Sequence, residues 1–182
     1  EALKDSLRAL ELTFLTGNER FRAYAMNQQA RGFMVSGNRK KALEILSEAI
    51  AISRKVGMSF VGPRLLGTFA ICSVDDNARK TALKEGSQIL ESGCHAHNRL
   101  WFLRDAIESS LISDHREAVS KYSDWLEKIT EKEPLPWSKY FIERGRAIVR
   151  YRCAPNDETN KGKIIQLKKL AEDVGFASHT MA

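Results

Sequence analysis

The sequence predicts an all-α fold, a right-handed superhelical solenoid of antiparallel helix hairpins. Apolar residues recur at intervals of three and four, with no convincing run of period-two alternation, so the local structure is helical. Gly, Pro and Asn punctuation cuts the chain into short helix-compatible segments from end to end. Small residues also repeat. Ala30, Ala70, Ala106 and Gly145 are 40, 36 and 39 residues apart, and Ala2, Ala42, Ala82 and Ala118 are 40, 40 and 36 apart. A small side chain lets two helices approach while bulky neighbours fill the flanking grooves, so the two interleaved series mark the two helices of a stacked unit.

The elements follow in order. A first helix over about 2–15 stops at Thr16-Gly17. Asn18 is placed to cap a second helix that carries Phe21, Tyr24, Ala25, Phe33 and Met34 and ends near Ser36-Gly37. The third, over 39–56, puts Ala42, Leu43, Leu46, Ala49, Ile50 and Ser53 on one stripe and closes at Gly57. Pro63 suits the first turn of a helix bearing Leu66, Phe69, Ala70 and Ser73. Asp75, Asp76 and Asn77 supply caps for a helix over 78–91, which Gly93 terminates. Helices over 97–113 and 114–131 come next, with His97 or Asn98 capping the former, and Pro134 and Pro136 break the chain before 137–151. The stretch 153–160 reads as the longest polar loop, and a last helix over 161–174 ends at Gly175. About nine helices therefore form one repeat domain over 1–176. A partial hairpin at 1–16 precedes hairpins over about 18–57, 62–92, 97–131 and 137–175, and 177–182 is a frayed tail.

Composition narrows the class. The 182 residues are 43% hydrophobic and 29% charged, as in ordinary globular proteins. No apolar run approaches the roughly 18 residues that span a bilayer, so a membrane-embedded chain is excluded. Three cysteines, an odd number without disulfide-framework spacing, point to a reducing, cytoplasmic setting. The chain opens at Glu1 inside a helical pattern with neither Met nor signal peptide, which suggests an excised piece of a longer protein.

The repeat units carry a recognisable pattern. In the second hairpin Ala30 is followed by Phe33, and Ala42, Leu46 and Ala49 give a small, large, small series; this resembles a tetratricopeptide repeat. The third hairpin departs from it, with Ser73 in place of the aromatic and Gly86 where a large residue belongs, and the fourth recovers Ala106, Ala118, Tyr122 and Trp125. Residues 90–176 hold Gly93-Cys94, His97-Asn98, Trp101-Phe102 and Arg104-Asp105-Ala106, then Glu133-Pro134-Leu135-Pro136-Trp137, Phe141-Ile142 and Arg144-Gly145-Arg146-Ala147. These are similar to a segment of large bacterial signalling proteins in which a class III adenylate or guanylate cyclase domain is joined to a STAND-type ATPase domain and C-terminal helical repeats. The resemblance implies that the chain is that repeat region, with the catalytic domains upstream. It carries over no functional residue.

Enzyme chemistry finds little support in the residues. Gly62 and Gly67 have phosphate-loop spacing, but Thr68 stands where the phosphate-binding Lys is required and no strand precedes. Gly67 is better read as a small packing residue. Cys94, His95 and His97 are the densest group of metal-ligand types, yet they lack paired zinc-site spacing. The histidines at 95, 97, 115 and 179 accompany no nucleophile pattern. Arg104 and Asp105 are adjacent and should diverge, each pairing with another helix. No catalytic residue, metal or cofactor is expected in this chain. Trp101, Phe102, Trp125, Trp137, Tyr140 and Phe141 read as wedges between stacked helices.

A solenoid lines its concave face with the inner helices, and the repeat positions place Tyr24, Asn27, Arg31, Arg64, Ile71, Leu103, Ile107, Lys139, Ile142 and Arg146 there. With an apolar centre and basic ends, that groove suits a protein or peptide segment with apolar anchors and acidic flanks, other domains of the same parent included. The exposed face of the first helix offers a route to self-association. The alternative partner is nucleic acid. The chain carries a net +6, and residues 139–169 hold nine Lys or Arg against three acids, an excess of +6. That segment has no helix-turn-helix signature, so nucleic acid is the less favoured partner.

Overall fold

A computed structural model describes residues 2–176, with side chains from Lys4 onward; the small-residue assignment at Ala2 and the frayed tail at 177–182 lie outside what is described. Among the described residues there are nine α-helices and no strand: α1 (Ala2–Thr16), α2 (Glu19–Val35), α3 (Arg39–Val56), α4 (Gly62–Cys72), α5 (Asp76–Ser92), α6 (Ala96–Ile112), α7 (Arg116–Thr130), α8 (Pro136–Cys153) and α9 (Glu158–Asp173). They divide into two compact units, Glu1–Ala106 and Ile107–Ala182, with the division inside α6.

Capping chemistry fixes most helix starts. Asn18 Oδ1 accepts from Phe21 N (3.3 Å) and Asn38 Oδ1 from Lys41 N (3.1 Å), each satisfying one of the free amides of a first turn. Of the three cap candidates before α5, Asp75 takes the role, accepting from Ala78 N at 2.6 Å. Pro63 and Pro136 occupy first turns of α4 and α8, where a missing N–H costs nothing. Two boundaries differ from expectation. Asp157 Oδ1 accepts from Thr159 N (2.8 Å) and Asn160 N (3.3 Å), so α9 starts at Glu158 and the expected long loop shrinks to four residues between α8 and α9. Asn98 does not cap α6. It is fully buried, and its Nδ2 donates to the carbonyls of Phe60 (2.6 Å) and Ser59 (3.3 Å), tying the turn before α4 to α6.

In the first unit α1 packs on α2, α2 on α3, α3 on α4 and α4 on α5, and α2 also packs on α4. The small residues stand where these helices meet: Ala30, Ala42, Ala70 and Ala106 have no exposed surface, and Ala82 is buried. The glycine that departs from the repeat pattern has a steric reason. A Cβ on Gly86 would lie 2.2 Å from the Phe102 ring, so the aromatic of α6 fills the volume that a large α5 residue would have taken. Ser73 is likewise part of a helix end. The buried Arg79 guanidinium donates to the carbonyls of Ser73 (2.6 Å) and Ala70 (3.3 Å), answering the negative end of α4. On α1, Leu7, Leu12, Phe14 and Leu15 are exposed.

In the second unit α7 packs on α8 and α8 on α9. Tyr140, Phe141, Ala147, Leu167 and Ala171 form its core, with Trp137, Ile164 and Phe176 against them. The aromatics meet edge-on or tilted, Trp137 on Phe141 at 5.2 Å and Tyr140 on Phe176 at 5.3 Å between centroids. Gly145 is buried here, where a Cβ would come 2.9 Å from Ile107 and 3.2 Å from Val119. No helix among the described residues is long and apolar enough to cross a membrane.

Candidate functional site

Helical spacing gathers polar groups of the first unit into one cluster. Tyr24, Asn27 and Arg31 follow each other on one stripe of α2, Arg64 and Thr68 are one turn apart on α4, and Trp101, Arg104 and Asp105 share a face of α6. Asp105 is its centre. The carboxylate has no exposed surface; it accepts from Arg104 Nε at 2.9 Å and from the Arg31 guanidinium. Gly67 permits this depth, since a Cβ there would lie 2.9 Å from that of Asp105. The adjacent Arg104 and Asp105 therefore do meet, contrary to the divergence expected of helix neighbours, while Asp105 also makes the expected inter-helix pair through Arg31.

Arg64 is organised differently. Its Nε donates to Asn27 Oδ1 (3.1 Å) and its Nη1 to the Tyr24 hydroxyl (3.0 Å). Asn27 Nδ2 donates in turn to Thr68 Oγ1 at 3.0 Å. The Thr68 oxygen lies 3.0 Å from the Arg64 carbonyl and 3.3 Å from Asp105 Oδ2, and its one proton serves one of these. Three guanidiniums lie over the Trp101 ring: Arg64 at 4.5 Å, Arg104 at 4.7 Å and Arg31 at 5.8 Å from the centroid.

Burial and charge set the protonation behaviour of this cluster. Burial weakens the hold of Arg31 on its proton, down to about 10, against the stabilising Asp105 carboxylate and alongside repulsion from Arg104 and Arg64. Burial also lowers Arg64, with the Tyr24 oxygen opposing. For Asp105, burial alone would raise the pKa, but Arg104 and Arg31 together hold the carboxyl below its ordinary range. At the edge of the cluster His97 is lowered by burial, by Arg64 and by His95. An aromatic ladder runs Phe21, Phe60, His95, His97, with centroids 5.5, 5.6 and 6.1 Å apart. Among the described residues no group of three or more His, Cys, Asp or Glu could hold a metal ion.

Beside the cluster, α1 and α2 bound an open groove of about 800 Å³. Ala9, Phe21, Ala25 and Val35 supply apolar walls, Tyr24 and Arg31 connect it to the arginines, and Asp5 is its acidic group.

Of the ten residues assigned to a concave face, Tyr24, Asn27, Arg31 and Arg64 come together, Tyr24 and Arg31 lining the open α1–α2 groove while Asn27 and Arg64 lie beneath it. Asn27 has no exposed surface and Arg64 is 4% exposed. Leu103 and Ile107 are wholly buried, so these two are corrected from groove anchors to core residues, and Ile142 is 5% exposed. Their apolar side chains give up more by facing water than the repeat register allows for. Ile71 is half-buried on α4. In the second unit Lys139, Ile142 and Arg146 border a cleft of about 320 Å³ between α7 and α8. Sequence reasoning left Trp101, Arg104, Asp105 and Thr68 out of the concave set, although it expected an inter-helix ion pair at Arg104 and Asp105. The signal was there, since Thr68 follows Arg64 by four residues and Asp105 follows Trp101 by four, next to the small residues Gly67 and Ala106.

The basic segment 139–169 is largely answered within its own unit. Arg144 pairs with Glu108; Arg146 donates to Asp124 (2.6 Å) and Glu127 (2.7 Å). Arg152 donates to the Leu111 carbonyl (2.7 Å) and Asp114 (3.2 Å), Lys163 to Glu143 (2.8 Å) and Lys161 to Glu158 (2.7 Å).

No protein-family model matches the chain, and searches of curated proteins and of solved structures return no match.

Proposed function

We propose that the chain is a protein-interaction module of the tetratricopeptide-like kind, a repeat region of a larger cytoplasmic signalling protein. Its helices would stack as antiparallel hairpins in a superhelix and present a groove to a protein segment or to another domain of the same parent. The nucleotide cyclase and ATPase architecture suggested by residues 90–176 belongs to this proposal, and the module itself would be non-catalytic. The observation that carries the reading is the open α1–α2 groove, whose apolar walls are flanked by exposed Phe14, Phe21 and Val35. The contact of α2 with both α3 and α4 supports a stacked arrangement, because each helix of a repeat meets its own partner and the next unit.

Val35 is 74% exposed and lines the groove, so Val35→Glu tests the reading without threatening the core. Partners captured by the immobilised wild-type chain should be lost by this variant and retained by a variant at exposed Lys121 on α7. Equal capture by both variants would refute the groove. The nucleic-acid alternative is weakened by the internal pairing of the basic segment, because a cation already bonded to a carboxylate releases few counterions from DNA.

A further inference from the structure

Arg64 is 4% exposed, and the groups it touches are the Asn27 amide oxygen, the Tyr24 hydroxyl and the ring faces of Tyr24 and Trp101. All of them are neutral. Its Nε and Nη1 are used, while Nη2 has no hydrogen-bond partner among the described residues and is not fully buried. Arg31 leaves a similar edge: Nη2 is committed to Asp105, Nε is buried without a partner, and Nη1 donates to nothing among the described residues. The Tyr24 hydroxyl accepts from Arg64, and its own proton has no acceptor among the described residues. Tyr24 and Arg31 both line the α1–α2 groove, and the guanidiniums of Arg31 and Arg64 both lie within 5.8 Å of the Trp101 centroid. Arg64 Nη2, Arg31 Nη1 and the Tyr24 hydroxyl proton thus lack an acceptor among the described residues. The nearest carboxylate, Asp105, is already shared by Arg31 and Arg104.

We infer that Arg64, Arg31 and Tyr24 form a seat for a phosphate-sized oxyanion at the inner edge of the α1–α2 groove. Burying a guanidinium among neutral partners is costly, and an anion that completes its hydrogen bonds removes that cost. The planar fork of arginine matches oxyanions in a bidentate manner. Phosphate carries more charge and more acceptor oxygens than a carboxylate, so one ion can serve both guanidiniums and the Tyr24 hydroxyl together. Asp5, on the groove's opposite wall, would favour an anion held deep at the arginines over one spread along the groove. Such a seat exists whether or not the groove takes a protein segment.

The test uses the whole chain and inorganic phosphate, at constant ionic strength, with chloride and acetate as comparisons. Phosphate at ten times its Kd should raise Tm by about 3–6 °C, following from mass action and the melting entropy of a domain this size. His97 lies beside Arg64, whose charge depresses its proton affinity, so its NMR titration should move to higher pH as phosphate saturates. His115, on the second unit before α7, should not move. Arg64→Gln keeps a donor for Asn27 and should weaken phosphate binding at least about tenfold, as loss of a charge-assisted bond implies. Tyr24→Phe, which removes one hydroxyl, should weaken it about 3–10-fold and keeps the test open if the Arg64 variant does not fold. A saturable phosphate response that moves His97, leaves His115 and falls in these variants supports the seat. Chloride acting as phosphate does, acetate binding as tightly, a shared shift of both histidines, or unchanged binding in the folded variants would each overturn it.

Discussion

In the first unit, Arg31, Arg64 and Arg104 gather at the Trp101 ring, Arg31 and Arg104 bonded to the buried Asp105 carboxylate, with little of their side chains in water. In the second, Arg144, Arg146 and Arg152 each reach a carboxylate from an adjoining helix or turn, and two of the three keep about a third of their side chain exposed. The densest basic run of the sequence, residues 139–169, lies in the second region, yet the unanswered positive charge lies in the first. Formal charge counts residues; chemistry depends on which cations lack acceptors and how far water is excluded.

The largest effect that could break this comparison is at Asp105. Asp105→Asn keeps the shape but leaves Arg31 and Arg104 without their shared counter-charge, and should cost about 3–5 kcal/mol in urea denaturation. The pH dependence has a definite sign. The folded-state pKa of Asp105 lies below its unfolded value, so its stabilisation is present above the ordinary carboxylate range near 4 and is lost as pH falls through the lower folded value. The wild type should therefore lose more stability than Asp105→Asn between about pH 5 and pH 2. Parallel stability curves for the two proteins would contradict the assignment.

Glycines sharpen the same contrast in packing. Gly86→Ala would drive a Cβ into the Phe102 ring and should cost about 1–3 kcal/mol. Gly162 on α9 has nothing within 4 Å of an added Cβ, so Gly162→Ala should gain up to about 1 kcal/mol from helix propensity. Thermal melts of the two variants should move in opposite directions. The smallest effect is expected at Arg146, whose pairs with Asp124 and Glu127 are largely exposed. Arg146→Ala should cost less than about 1 kcal/mol, and the cost should shrink as salt is raised. A larger, salt-independent loss would mean that the second unit buries its charge as the first does.

Periodicity made the helices legible, because three- and four-residue apolar spacing records packing along one face of a helix. Ala30, Ala42, Ala70 and Ala106 all stand in the core. Asn18 and Asn38 were legible as caps because a cap bonds within its own first turn. The start of α9 was missed because Asp157 caps from within a stretch that reads as polar loop. Tyr24, Asn27, Arg31 and Arg64 could be grouped by repeat position, but a repeat register fixes which side of a helix a residue occupies and not its depth. That distinction separates a solvent-facing lining from the buried cluster around Asp105. The insertion of Phe102 against Gly86 depends on how closely α5 and α6 approach, which no one-dimensional pattern records.

The contrast between the two arginine sets can be read directly from the Nε–Hε resonances of the arginines in a ¹⁵N-labelled chain titrated with inorganic phosphate at constant ionic strength. The account predicts that the Arg64 and Arg31 signals shift and saturate together, while those of Arg146 and Arg152, already bonded to carboxylates, stay in place. Shifts of equal size at Arg146 and Arg152, or none at Arg64, would contradict it.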